Sequence, residues 1–128
     1  MSTPHAKIYT TTPLFVVADM PRSLDFYSRL GFTEHSLWGE PTCFAMVRCG
    51  GFEIMLSLAE SPDRVRPNGP GGIWDMYIRL ADIAAEIAAL ESAGIKLDRG
   101  PTDAFYQMRE IEVLDPDGYR ICVAQDVS

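Results

Sequence analysis

The sequence is poor in the residues that most often build metal and redox sites. It has 2 histidines and 3 cysteines among 128 residues. Cys43, Cys49 and Cys122 form no CxxC pair. An odd number at such spacing points to reduced thiols acting as small buried apolar residues, not to a disulfide framework. No run approaches the ~20 apolar residues of a membrane span. Residues 1–12 are polar and lack the apolar stretch of a signal peptide, so a cytoplasmic location is expected. Positive charge is also scarce. The 11 Lys+Arg residues face 18 Asp+Glu, a net charge of -7. Such a surface repels nucleic acid and anionic membranes, so neither is expected as a partner. Nucleophile elbows and phosphate loops are missing. The one glycine cluster, Asn68-Gly69-Pro70-Gly71-Gly72, contains a proline and lacks a following Lys-Ser/Thr, and reads as a linker turn. What is present is a 47% hydrophobic chain of single-domain length, enough to bury a core.

That hydrophobic content is organised as an internal repeat. Val17-Ala18-Asp19-Met20 matches Leu80-Ala81-Asp82-Ile83, and a glycine follows each aspartate at the same distance, at Gly31 and Gly94. Aspartate caps a helix by accepting a free backbone N–H of the first turn. Pro21 suits a first helical turn. Met20, Leu24 and Tyr27 recur at helical spacing, as do Ile83, Ile87 and Leu90, giving each helix one apolar face. The glycines suit left-handed helix ends. A second anchor pairs Gly51-Phe52-Glu53-Ile54-Met55 with Gly118-Tyr119-Arg120-Ile121-Cys122, both at hairpin turns. The helix anchors lie 63 residues apart and the hairpin anchors 67. About four extra residues therefore fall in the second half, in the segment 98–105, which reads as a loop.

The chain is thus expected to be one α+β domain, residues 1–128, of two βαβββ modules forming curved mixed sheets around a cleft. Module one spans about 10–58, a Pro/Gly-rich linker 59–72, and module two about 73–126. The expected elements of module one are a strand over 10–17, a helix over 20–30, and strands near 33–38, 42–48 and 52–58. Those of module two are a strand over 74–80, a helix over 83–93, a short strand near Lys96, and strands over 107–114 and 119–125. Pro13 suggests an edge or a bulge in the first strand.

The motifs Val17-Ala18-Asp19, Ser23, Phe26-Tyr27, Leu30-Gly31-Phe32 and Asp115-Pro116-Asp117-Gly118-Tyr119-Arg120-Ile121 resemble the glyoxalase/bleomycin resistance protein/extradiol dioxygenase superfamily. The resemblance implies homodimers with clefts that take small molecules. It also implies four metal-ligand positions in the metal-dependent members, which fall here on Thr12, Met55, Asp75 and Cys122. Thr12 and Met55 are poor ligands for a hard divalent ion, and one carboxylate is not a site. His5 and His35 lie elsewhere, with surface or packing roles. The chain is therefore closest in character to the metal-free, bleomycin-resistance-like members, with no cofactor and no metal expected.

Strand alternation nominates the cleft residues: Met55, Asp75, Tyr77, Met108, Glu110, Arg120 and Cys122. Glu53, Arg79 and Glu112 share these faces, and Trp38, Trp74, Phe105 and Tyr106 serve as walls or rim. Glu110 and Glu112 read equally as a solvated strand face paired with Arg120. An acidic, aromatic cleft suits a cationic or aromatic organic ligand. The function expected is sequestration of such a compound, for example an antibiotic, with no catalytic residue. The alternative is a glyoxalase-like lyase, isomerase or dioxygenase acting on a small organic substrate, a metal-free isomerase using Glu110 or Asp75 as base.

Overall fold

Both expected helix starts carry an aspartate cap in the computed structural model, which describes residues 3–128. Asp19 accepts from the Arg22 N–H at 3.1 Å and Asp82 from the Ala85 N–H at 3.0 Å. The elements are β1 (Leu14–Val17), α1 (Met20–Arg29), β2 (Thr33–Trp38), β3 (Phe44–Cys49), β4 (Phe52–Leu58), β5 (Met76–Arg79), α2 (Ile83–Ser92), β6 (Arg99–Asp103), β7 (Met108–Leu114) and β8 (Arg120–Asp126). Gly31 and Gly94, just past the helices, have φ of 106° and 75°, the left-handed region that favours glycine.

The strands form two four-stranded sheets of equivalent topology, β1-β4-β3-β2 and β5-β8-β7-β6. In each, the first strand runs parallel to the last and the other pairs are antiparallel. Leu14 lies opposite Met55, and Tyr77 opposite Cys122. Leu14 and Tyr77 are 63 residues apart, and Met55 and Cys122 are 67 apart. The repeat offsets of the sequence are therefore the register offsets of the sheets, and the α+β architecture of two βαβββ modules follows.

Several boundaries differ from expectation, two of them for a plain physical reason. β1 starts only at Leu14, because Pro13 has no N–H to give a ladder. Its carbonyl still accepts from the Met55 N–H at 2.9 Å, and β1 is an edge strand. β6 occupies Arg99–Asp103, inside the segment expected as a loop, and Lys96 lies outside any strand. All of β6 is exposed, and its pairing with β7 slips between Arg99 and Thr102. A strand with no buried face shows no alternation to read.

One hydrophobic core serves both modules. Phe15, Val17, Ala45, Val47, Ile54 and Leu56 pack with Met20 and Tyr27 of α1, while Ile111, Val113, Ile121 and Val123 pack with Ile83 and Leu90 of α2. The last hairpin turn joins the modules. The Tyr119 ring stacks on Phe15 at 4.5 Å, and its hydroxyl donates to the Val16 carbonyl at 2.7 Å. The Tyr27 hydroxyl donates to Asp115 Oδ2 at 2.7 Å, and Arg22 Nη2 donates to the Pro116 carbonyl at 2.6 Å. Burial, then the Asp115 charge, pushes the Tyr27 phenol far above its ordinary range. Burial also raises the Asp115 carboxyl, against the donors that hold it. Tyr27 therefore stays a neutral donor wherever the protein is folded.

Candidate functional site

The most elaborate polar cluster lies on the face of the second sheet turned away from α2. Alternation places Tyr77 and Arg79 of β5 there, with Cys122, Ala124 and Asp126 of β8 and Met108, Glu110 and Glu112 of β7. The register sets Glu110 opposite Ala124 and Tyr77 opposite Cys122, so Glu110 and Tyr77 flank β8 from its two sides. Their side chains meet across it. Tyr77 donates to Glu110 Oε2 at 2.7 Å, and Tyr106 donates to the same oxygen at 2.5 Å. Burial, then the bond to Glu110, raises the Tyr77 phenol above its ordinary range. The bond to Glu110 is the leading cause that pushes Tyr106 up to about 12. Both phenols thus remain donors at neutral pH. Oε1 of Glu110 accepts no hydrogen bond from the described residues.

Aromatic rings adjoin this carboxylate through Tyr77 and Tyr106. The Trp74 and Tyr77 ring centroids are 4.8 Å apart, and the Arg79 guanidinium lies 5.9 Å from the Tyr77 centroid. Beside them opens a cavity of about 620 Å³ lined by Arg79, Leu80, Ala81, Tyr106, Met108 and Asp126, a volume typical of small-molecule sites.

Of the residues nominated from sequence, Tyr77, Met108 and Glu110 are brought together here. Cys122 lies beneath them with no exposed surface, a packing residue and not a wall. Burial, then Glu110 and Glu112, pushes its thiol up to about 12. Cys43 and Cys49 are exposed. Titration with a disulfide reagent at pH 8 is therefore expected to find two reactive thiols in the native protein and a third only in denaturant. Prompt reaction of all three would contradict this burial.

Asp75 and Arg120 have a different task from the one alternation suggested. Asp75 accepts three backbone N–H bonds, from Asn68 at 2.8 Å, Gly69 at 3.1 Å and Arg120 at 2.8 Å. Arg120 is 8% exposed. Its Nη1 donates to Asp98 at 2.6 Å and to Glu112 at 2.8 Å. Its Nε and Nη2 donate to the Gly69 carbonyl at 3.3 and 3.2 Å. Glu112 is buried, and also accepts from Trp74 Nε1 and Arg99. Alternation had assigned these side chains to the correct face. It could not show that the 59–72 linker folds over that face and consumes their charge.

Met55 and Trp38 belong to the first sheet. Met55 sits between Leu14 and Met46, and Trp38 lies on the edge strand β2, its ring 5.3 Å from Phe44. Neither lines the cavity on the second sheet. Asp126, which does, was missed because the last strand was expected to end at Gln125. Continuing the alternation Cys122, Ala124 by one step would have found it.

The four superfamily metal positions do not fit a metal ion. Both oxygens of Asp75 are taken by backbone donors, Cys122 is held as a buried thiol, and Thr12 and Met55 add only a hydroxyl and a thioether. Among the described residues, no three His, Cys, Asp or Glu side chains are grouped as around an ion.

The comparisons agree with this architecture. The family model described as Glyoxalase/Bleomycin resistance protein/Dioxygenase superfamily matches residues 8–123. TnmS3, an antibiotic binding protein from Streptomyces sp. CB03234, shares 26% identity at a TM-score of 0.72, over 95% of this chain and 99% of that one. A bleomycin resistance determinant encoded on the transposon Tn5 shares 19% at 0.73, over 93% and 98%. A bleomycin-binding protein complexed with bleomycin shares 20% at 0.71, over 92% and 98%. The latter two likenesses are of fold alone. No curated protein matches the chain. With a family model spanning nearly its whole length and two sheets of the matching topology, the chain belongs to the glyoxalase/bleomycin resistance protein/dioxygenase superfamily.

Proposed function

We propose that this protein binds a medium-sized organic molecule of cationic or aromatic character on the face of the second sheet, and holds it without altering it. The observation that carries this reading is the Glu110 carboxylate. Two phenols, Tyr77 and Tyr106, donate to one of its oxygens, Trp74 packs against Tyr77, and Tyr106 also lines the 620 Å³ cavity. A carboxylate among aromatic rings suits a protonated amine joined to a flat ring system. The antibiotic-binding description of TnmS3 supports the same ligand class.

The test is calorimetry with bleomycin, mitomycin-type quinones and aromatic amines. Glu110→Gln is expected to weaken a bound cationic compound about tenfold, in line with a lost bond to a charged group. Added salt should weaken binding too. Binding of anions only would sink the electrostatic part. Conversion of the bound compound, abolished in Glu110→Gln, would show an enzyme. Asp75→Asn, by contrast, should act through the linker and lower stability.

The working form is a homodimer in the cytoplasm. Leu14 and Trp38, on the face of the first sheet, are 49% and 47% exposed in one chain, and Met46 and Met55 lie between them. A partner's cover over that apolar face would complete the cleft. Sedimentation equilibrium is expected to give twice the chain mass of 14.2 kDa at tens of micromolar. A single-chain mass there would count against it.

A further inference from the structure

A second cavity, of about 480 Å³, opens where α1 meets the segment between α2 and β6. It is distinct from the Glu110 site and shares no lining residue with it. Its apolar walls come from Phe26 of α1, Ile95 and Leu97 beyond α2, and Leu114 at the end of β7. Its polar lining reverses the charge of the protein. Arg22, Arg29 and Lys96 line it, in a chain of net charge -7.

The two acids that also line it are already engaged. Asp25 pairs with Arg29 Nε at 3.1 Å, and Asp98 with Arg120 Nη1 at 2.6 Å. Arg22 uses Nη2 on the Pro116 carbonyl, which fixes the guanidinium at the rim with its other nitrogens available. Lys96 is exposed and makes no hydrogen bond or ion pair among the described residues. Beside it, a β-carbon on Gly94 would meet nothing nearer than Arg29 Nη1, at 3.9 Å. Apolar walls rimmed by cations with donors to spare are complementary to one kind of molecule.

We propose that this cavity binds a small amphipathic anion, a carboxylate on an apolar ring or short chain. The apolar body would lie against Phe26, Ile95 and Leu97, and the head group would meet Lys96 and the two arginines. The inference is independent of the ligand proposed for the second sheet.

The probe is 2-naphthoate, with 2-naphthylmethylammonium as its cationic match, titrated into the ¹⁵N-labelled protein and followed by amide shifts. Naphthoate is expected to move residues 22–29 and 94–98, while the ammonium leaves them in place. Lys96→Glu, which removes no contact of the fold, should weaken naphthoate about fivefold, the size expected for reversing one exposed charge. Glu110→Gln should leave naphthoate binding unchanged. Naphthoate shifts confined to β5, β7 and β8, equal shifts of residues 22–29 and 94–98 by acid and amine, an unaltered affinity in Lys96→Glu, or no binding at millimolar probe would each overturn the proposal.

Discussion

Replacing Gly69 by alanine is expected to destabilise the fold by about 3 kcal/mol or more, at the upper end of what overpacking does. The added β-carbon would stand 1.8 Å from the Gly118 carbonyl oxygen, 3.0 Å from its carbon and 3.1 Å from the Arg120 nitrogen. All three are backbone atoms, so no side chain can turn aside to make room. The Gly118 turn cannot retreat readily, because Asp115 accepts from the N–H groups of Asp117 and Tyr119 at 2.8 and 2.9 Å. The linker cannot lift without parting Gly69 from Asp75 and Arg120. A fall in melting temperature of about 10 °C or more should accompany the loss. Gly71→Ala is the control, since nothing lies within 4 Å of a β-carbon there. A Gly69→Ala protein as stable as Gly71→Ala would show that the linker does not seat as described.

Arg120→Met is expected to be comparably damaging, at about 3–5 kcal/mol, because breaking a buried ion pair strands the remaining charge. The side chains of Arg120 and Glu112 are 10% and 4% exposed. Without the guanidinium, Glu112 keeps only the Trp74 indole and Arg99, and the Gly69 carbonyl keeps only the Gly72 N–H. Arg99→Met removes the other partner of the same carboxylate, but Arg99 is 60% exposed and its loss should stay below about 1 kcal/mol. The double variant Arg120→Met/Glu112→Met should recover part of the stability, since an apolar pair of similar volume leaves no buried charge. Urea unfolding of the four proteins separates these cases. Equal effects at Arg99 and Arg120 would refute the ranking.

The architecture was legible because it is written twice. Asp19 and Asp82 could be recognised as caps from a single short motif, and the 63- and 67-residue offsets became the registers of Leu14 with Met55 and Tyr77 with Cys122. The candidate site was legible only as faces. Period-two alternation placed Tyr77, Met108 and Glu110 on one surface, and the fold assembles them. The same rule placed Asp75 and Arg120 there, but whether a charge is presented or consumed depends on contacts with no local signature: the linker N–H groups on Asp75, and the Gly69 carbonyl, Asp98 and Glu112 on Arg120. β6 escaped notice for a related reason. Arg99-Gly100-Pro101-Thr102-Asp103 has a single strand-forming residue, Thr102, and no buried face, and is a strand only because β7 offers it an edge. Met55, nominated by alternation, and Trp38, nominated as a wall or rim, lie on the first sheet, and alternation within a strand does not tell which sheets share a cavity.

The joint between the modules also orders events during synthesis. The Val16 carbonyl waits for the Tyr119 hydroxyl, 103 positions later, and Tyr27 waits 88 positions for Asp115. At roughly 5–20 residues per second, that delay lasts on the order of 5–20 s. Once Leu58 is made the first module has all its strands, but until the last hairpin follows it lacks the aromatic lid on Phe15 and the partner of a buried phenol. The nascent chain must carry that unfinished surface past the ribosome, and a message truncated before the last hairpin would leave it uncovered for good.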